Sequence, residues 1–170
     1  MFQLACFDMD GTLIRNTNSV RYLCCLNGKE DEALEIELIS GIDDVIKRLK
    51  GDGMKTILIT AGPVQVAGIM KEKFGFDEAY GSNYDVSNGN FTGRILEHLG
   101  EGGKLRSLVS FCAKNEIDLQ RTIAIGDSAS DIEVFQKSGK SIAINYTDEL
   151  IGNASVYLKT NTLTDILRHL

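Results

Sequence analysis

Three short stretches of this chain are mostly apolar, with little alternation, and then stop abruptly at polar residues. They are Phe2 to Phe7, Thr56-Ile57-Leu58-Ile59 and Thr122-Ile123-Ala124-Ile125. A strand with one wet face alternates apolar and polar residues. A strand apolar on both faces belongs to a parallel sheet covered by helices on each side. Helical patterns separate these runs. Ile42, Val45, Ile46 and Leu49 share one face and are closed by Gly51 and Gly53. Val66, Ala67, Met70 and Phe74 form another stripe, with Pro63 where the helix should start. Further helices are expected over 103–115 (Leu105, Leu108, Val109, Cys112) and about 129–137. Strands are expected at 141–144 and 155–158, and Thr162 to Asp165 reads as a capping box opening a last helix. This order predicts an α/β, three-layer Rossmann-like fold with one parallel sheet and helices on both faces, spanning 1–170 as a single domain.

Two segments depart from the alternation. In 82–95, two short strand-like runs flank Ser87-Asn88-Gly89-Asn90, and Asn-Gly between such runs signals a β-hairpin. In 15–40, Val20, Leu23, Cys24 and Leu26 suggest a helix with Thr17, Asn18 or Ser19 as N-cap. Asn27-Gly28 breaks it, and Lys29 to Leu38 suggests a second, acidic helix. Together they read as a small helical cap inserted between the first two core strands; a plain crossover helix is the alternative.

Lys and Arg number 18 against 24 Asp and Glu, a net charge of −6, with no basic stripe. That balance disfavours nucleic acid as a partner. No apolar run reaches the ~20 residues of a membrane span, and the start lacks the basic region of a signal peptide, so a cytoplasmic protein is expected. Cys6, Cys24, Cys25 and Cys112 match no zinc spacing and are expected to be reduced thiols.

In open parallel sheets ligands bind beyond the carboxyl ends of the strands. The first strand ends at Asp8 and Asp10, the second at Thr60, and the third at Asp127, with Asp131 one turn further. Adjacent carboxylates repel unless a cation neutralises them. Several hard oxygen ligands without His or Cys favour Mg²⁺, which commonly also binds a substrate phosphate. Gly11 permits a tight turn after the acids. Thr60 and the backbone N–H of Ala61 are placed to hold phosphate oxygens, and Lys104 adds a positive charge. The set points to phosphoryl transfer.

Asp8-Met9-Asp10-Gly11-Thr12-Leu13 resembles the first signature, DxDGT, of the haloacid dehalogenase superfamily. Thr60 and Lys104 resemble its second and third motifs, and Gly126-Asp127-Ser128-Ala129-Ser130-Asp131 resembles the fourth, GDxxxD. Within that superfamily the chain is most similar to phosphoserine phosphatases, through the Asn88–Gly93 hairpin, the Gly-Asp-Ser-Ala-Ser-Asp-Ile run and the tail after Ile144. The resemblance implies a Mg²⁺-dependent phosphomonoester hydrolase. Asp8 would be the nucleophile, forming an aspartyl-phosphate, and Asp10 the general acid and then base. Asp8, the Asp10 carbonyl and Asp127 would hold the metal. Thr60 would bind the phosphoryl group, Lys104 would bridge nucleophile and phosphate, and Asp131 would act from behind.

The chain departs from phosphoserine phosphatases in its cap. Only 49 residues separate Asp10 from Thr60, Thr17 falls near the family's cap glutamate, and Arg15 and Arg21 are the candidates for a carboxylate-gripping arginine. Ser130 stands where the fourth motif often has Asn. A small phosphorylated metabolite is the expected partner, with a phosphoprotein or a covering second subunit in a homodimer as alternatives. Two rival functions are a receiver-like signalling domain, whose acids and Lys also surround Mg²⁺, and a catalytically weak scaffold of the same superfamily that binds a protein.

Overall fold

A computed structural model describes residues 1–26, 36–100 and 102–170. Seven strands form one sheet: β1 (Leu4–Phe7), β2 (Lys55–Pro63), β3 (Glu78–Ser87), β4 (Asn90–Glu97), β5 (Thr122–Gly126), β6 (Lys140–Ile144) and β7 (Val156–Leu158). Their spatial order is β4-β3-β2-β1-β5-β6-β7, parallel throughout except for the antiparallel β3–β4 pair. The helices are α1 (Ser19–Leu26), α2 (Ile42–Gly51), α3 (Val64–Phe74), α4 (Gly103–Lys114) and α5 (Ile132–Lys137).

The sheet divides the core in two, which explains why its strands do not alternate in sequence. Ala5 and Phe7 of β1 join Val45, Leu49, Val66 and Met70 of α2 and α3 on one face. Leu4 and Cys6 join Leu108, Phe111, Val134 and Phe135 of α4 and α5 on the other. Each buried large apolar side chain contributes roughly 1.5–3 kcal/mol, and β1 is completely buried. β1 lies at the centre, with β2 on one side and β5 on the other. The chain winds outward from β1 first one way and then the other, so the carboxyl ends of β1, β2 and β5 face a shared crevice.

The predicted hairpin forms, longer than the sequence suggested. Asn88 (φ 51°) and Gly89 (φ 79°) both take positive φ at its turn, as a two-residue type I′ connection requires. β2 also outruns its expected end. It passes Thr60 and bulges between Ile59 and Pro63, where Pro63 pairs with Ser82. Pro63 (φ −63°, ψ 131°) therefore caps α3 from outside rather than opening it.

One expectation needs correction. The capping box read at Thr162–Asp165 is incomplete. The Thr162 hydroxyl accepts from the Thr164 N–H, but Asp165 accepts instead from the Thr160 hydroxyl at 2.5 Å, and the segment Leu163–His169 is a 3-10 helix. The box that does form is Ser128 with Asp131, ahead of α5. In the insertion, α1 forms with Asn18 as its cap, its Oδ1 accepting from the Arg21 N–H at 2.8 Å. The expected second helix lies mostly at 29–35, outside the described residues, and 36–38 are not helical. The insertion enters and leaves through one neck: Ile14 bridges Leu38, and the Arg15 N–H donates to the Glu37 carbonyl at 2.8 Å.

Candidate active site

Asp8 follows the last residue of β1, and its N–H donates to the Ile125 carbonyl of β5, which fixes it in the crevice. The turn after it folds tightly: the Leu13 and Ile14 N–H groups both donate to the Met9 carbonyl. Gly11 sits in this turn at φ 83°, and a β-carbon there would collide with the Asp127 carboxylate. Glycine is thus required by both backbone and space. Asp127 comes from the end of β5, where the Thr12 hydroxyl donates to its Oδ1 at 3.1 Å.

Lys104 enters from the start of α4. It is only 4% exposed, and a buried ammonium needs partners. Its Nζ donates to Asp8 Oδ1 at 2.6 Å and to Asp131 Oδ1 at 2.8 Å. The other oxygen of Asp131 accepts from the N–H groups of Asp127 (3.1 Å) and Ser128 (3.2 Å). Asp131 is thereby fully occupied in holding Lys104 and the loop that carries Asp127.

The structure brings the carboxylates of Asp8, Asp127 and Asp131 within 4.8 Å of one another. Burial, opposed by Lys104 and reinforced by Asp127, pushes Asp8 up to about 6. Burial and the charge of Asp131 push Asp127 up to about 6. Burial and the charge of Asp8 push Asp131 up to about 6. Burial alone would lower the Lys104 ammonium, but Asp8 and Asp131 outweigh it and hold it above its ordinary range. The donors are all carboxylate oxygens, crowded beyond what one ammonium neutralises. That set fits a hard divalent cation.

Asp10 is set apart from this cluster. Its Oδ1 accepts from the Ser19 N–H at 2.7 Å and its Oδ2 from the Ser19 hydroxyl at 2.6 Å. Burial raises its pKa, and both Ser19 bonds oppose the rise. Thr60 is 1% exposed in β2, and its Oγ1 accepts from the Gly62 N–H at 2.9 Å, which leaves the hydroxyl proton to donate elsewhere. Ala61 follows it, with its carbonyl held by the Ser82 hydroxyl at 2.6 Å.

Sequence reasoning missed Ser19, Thr12 and Gly62. Ser19 was read as a candidate cap, yet it serves Asp10. A β-carbon at Gly62 would collide with the Ser19 hydroxyl and approach Asp10 Oδ2 to 2.7 Å. No local pattern signals such long-range fits. Arg15, a candidate clamp, instead donates to Asn161 Oδ1 at 2.9 Å on the exposed surface.

The profile of the haloacid dehalogenase-like hydrolases matches residues 26–136, more than half of the chain. The chain belongs to that family. Among curated relatives of this family member, the phosphoserine phosphatase of Methanocaldococcus jannaschii is 31% identical over 131 residues, covering 76% of this chain and 62% of that protein. The phosphoserine phosphatase of Streptomyces coelicolor is 32% identical over 112 residues, covering 65% of this chain and 27% of that protein. The chain thus spans less than two thirds of the length of these relatives. A crystal structure of phosphoserine phosphatase in apo form superposes with a TM-score of 0.88 at 26% identity, covering 100% of both chains. A phospho-aspartyl intermediate analogue of phosphoserine phosphatase gives 0.85 at 25% identity, covering 99% of each. With the family established, the receiver-like reading is not favoured.

Proposed function

We propose that this haloacid dehalogenase-like hydrolase is a Mg²⁺-dependent phosphomonoesterase that works through an aspartyl-phosphate on Asp8. The observation that carries the reading is the different treatment of two neighbouring aspartates. Asp8 is buried against Lys104 and Asp127, while Asp10 is withdrawn from them and held by Ser19. Contact with Lys104 opposes the effect of burial on Asp8 and favours its charged, attacking form, while Asp10, outside the carboxylate cluster, is left to exchange a proton.

Asp8 and Asp127, with the Asp10 carbonyl, would hold Mg²⁺, which supplies charge neutralisation for the transferring phosphoryl group. Lys104 fixes the attacking carboxylate through Oδ1 and adds positive charge beside the phosphoryl oxygens. The Thr60 hydroxyl and the Ala61 N–H bind those oxygens from the neighbouring strand. Asp10 donates its proton to the departing alcohol. It then takes a proton from the water that hydrolyses the acyl-phosphate, which regenerates Asp8. Asp131 positions Lys104 and the Asp127 loop.

The substrate is read as a small phosphorylated metabolite, in keeping with the phosphoserine phosphatases among the relatives. The chain is read as one domain, 1–170, with 15–40 as a small cap entered through the Ile14–Leu38 neck. Free Cys6, Cys24 and Cys112 suit a reducing, cytoplasmic setting. No helix of the described residues is long and apolar enough to cross a membrane.

The test is phosphate release from a panel of phosphomonoesters. Activity should appear with Mg²⁺, vanish with a chelator and return on adding Mg²⁺. Turnover that survives chelation would overturn the assignment of the carboxylate cluster.

A further inference from the structure

A cavity of about 640 Å³ lies between α1 and the β3–β4 hairpin. Its walls are Val20, Leu23 and Cys24 from α1, Tyr84 from β3, and Phe91 and Ile95 from β4. The volume falls within the range of small-molecule pockets, roughly 300–1,000 Å³. Its position relative to the chemistry follows from α1. Ser19, the first residue of that helix, makes both hydrogen bonds to the Asp10 carboxylate, and the very next residue lines the cavity. The cavity therefore begins one residue along α1 from the contact that holds the proposed general acid. After burial, the negative charge of Asp10 is the next largest influence raising the Tyr84 hydroxyl. The Tyr84 and Phe91 rings pack edge to face at 6.5 Å and form one firm wall.

The lining is apolar and, among the described residues, carries no Lys, Arg, Asp or Glu. Two of its polar side chains have partners already: Thr92 Oγ1 donates to Asp85 Oδ2 at 2.9 Å, and Asn90 Nδ2 donates to the Asn88 carbonyl at 3.3 Å, while the Tyr84 ring carries a neutral hydroxyl. A leaving group bearing a carboxylate and an ammonium, as in phosphoserine, would lose water there without gaining a counter-charge. An uncharged aliphatic or aromatic group would gain from burial.

Resting on the phosphomonoesterase reading above, we infer that this cavity binds the leaving group, and that the preferred substrates are phosphate monoesters of uncharged apolar alcohols. The cavity thus sets specificity, while the carboxylate cluster sets the reaction.

The test has two arms. In the first, kcat/KM is measured for n-alkyl phosphates from ethyl to hexyl and for phosphoserine. Each buried methylene should add about fourfold, so the series should rise by about two orders of magnitude, with phosphoserine near the short end. In the second, binding of the matching alkylphosphonates, which cannot be hydrolysed, is measured by calorimetry with Mg²⁺ present. Affinity should rise along the series in the same way. Ile95→Asp, and separately Phe91→Ala, should flatten both slopes, whereas Val109→Asp, on the exposed surface of α4, should leave them unchanged. A phosphonate slope without turnover of any ester would sustain the cavity's role and overturn the phosphatase reading. Turnover with flat slopes, or with phosphoserine preferred more than about tenfold over hexyl phosphate, would overturn the cavity's role alone.

Discussion

Lys104→Met tests the electrostatics of the site without changing side-chain length much. The ammonium lies 2.6 Å from Asp8 and 2.8 Å from Asp131. With an effective dielectric constant of about 20, each contact is worth about 6 kcal/mol of gross attraction. Desolvating the ammonium offsets several kcal/mol of that. Removing it leaves three carboxylates within 4.8 Å, and among the described residues no other cation is within ion-pair distance of them. Breaking a buried pair in this way typically costs about 3–5 kcal/mol, which is the loss expected near neutral pH without metal. Lowering the pH should shrink it, because carboxylates that take up protons need no counter-charge. The assay is urea unfolding of both proteins in chelator at about pH 7.5 and about pH 5. A loss under about 1 kcal/mol at the higher pH would show that the cluster is hydrated rather than dependent on Lys104. A loss equal at both pH values would show that the carboxylates do not titrate as a group.

The same cluster predicts the pH dependence of the wild type. Asp8, Asp127 and Asp131 are each raised to about 6 in the folded chain, so the folded state binds more protons than the unfolded one between about pH 4 and 6. Metal-free stability should therefore fall as pH rises through that window, and Mg²⁺ should raise the melting temperature more at about pH 7.5 than at about pH 5. Equal Mg²⁺ effects in two melting scans would contradict this. Gly62→Ala should lower kcat by about 10²-fold, since the new methyl displaces Ser19 and Asp10; an unchanged kcat in steady-state assay would show that the Ser19–Asp10 contact is dispensable.

The sheet was legible because burial on both faces leaves a sequence mark, the mostly apolar run with little alternation, that few other structures produce. The hairpin was legible because its turn needs positive φ at two residues, and Asn88-Gly89 supplies them. The ends of elements were less so. β2 continues past Thr60 because β3 offers Ser82 as a partner for Pro63 after a bulge, a tertiary reason with no local signal. Likewise Thr162–Asp165 and Ser128–Asp131 carry the same capping spacing. Only the second closes, because Thr160 captures Asp165. At the site, residues at strand ends were readable from the topology. Those that tune them, Ser19, Thr12 and Gly62, were hidden because their partners lie 9, 115 and, for the Gly62 contact with Ser19, several tens of residues away. The apolar cavity was hidden for the same reason, since its walls come from α1 and from a hairpin far along the chain.

The central claim is that Asp8 becomes phosphorylated during turnover. The direct measurement is acid quenching of the Mg²⁺-loaded enzyme during steady-state hydrolysis, followed by peptide mass spectrometry. The account predicts one added phosphoryl group on the peptide containing Asp8, labile to base, absent in chelator and absent from Asp8→Asn, whose turnover should fall by at least about 10³-fold. A phosphoryl group on another residue, or Asp8→Asn retaining activity within about tenfold of wild type, would contradict it.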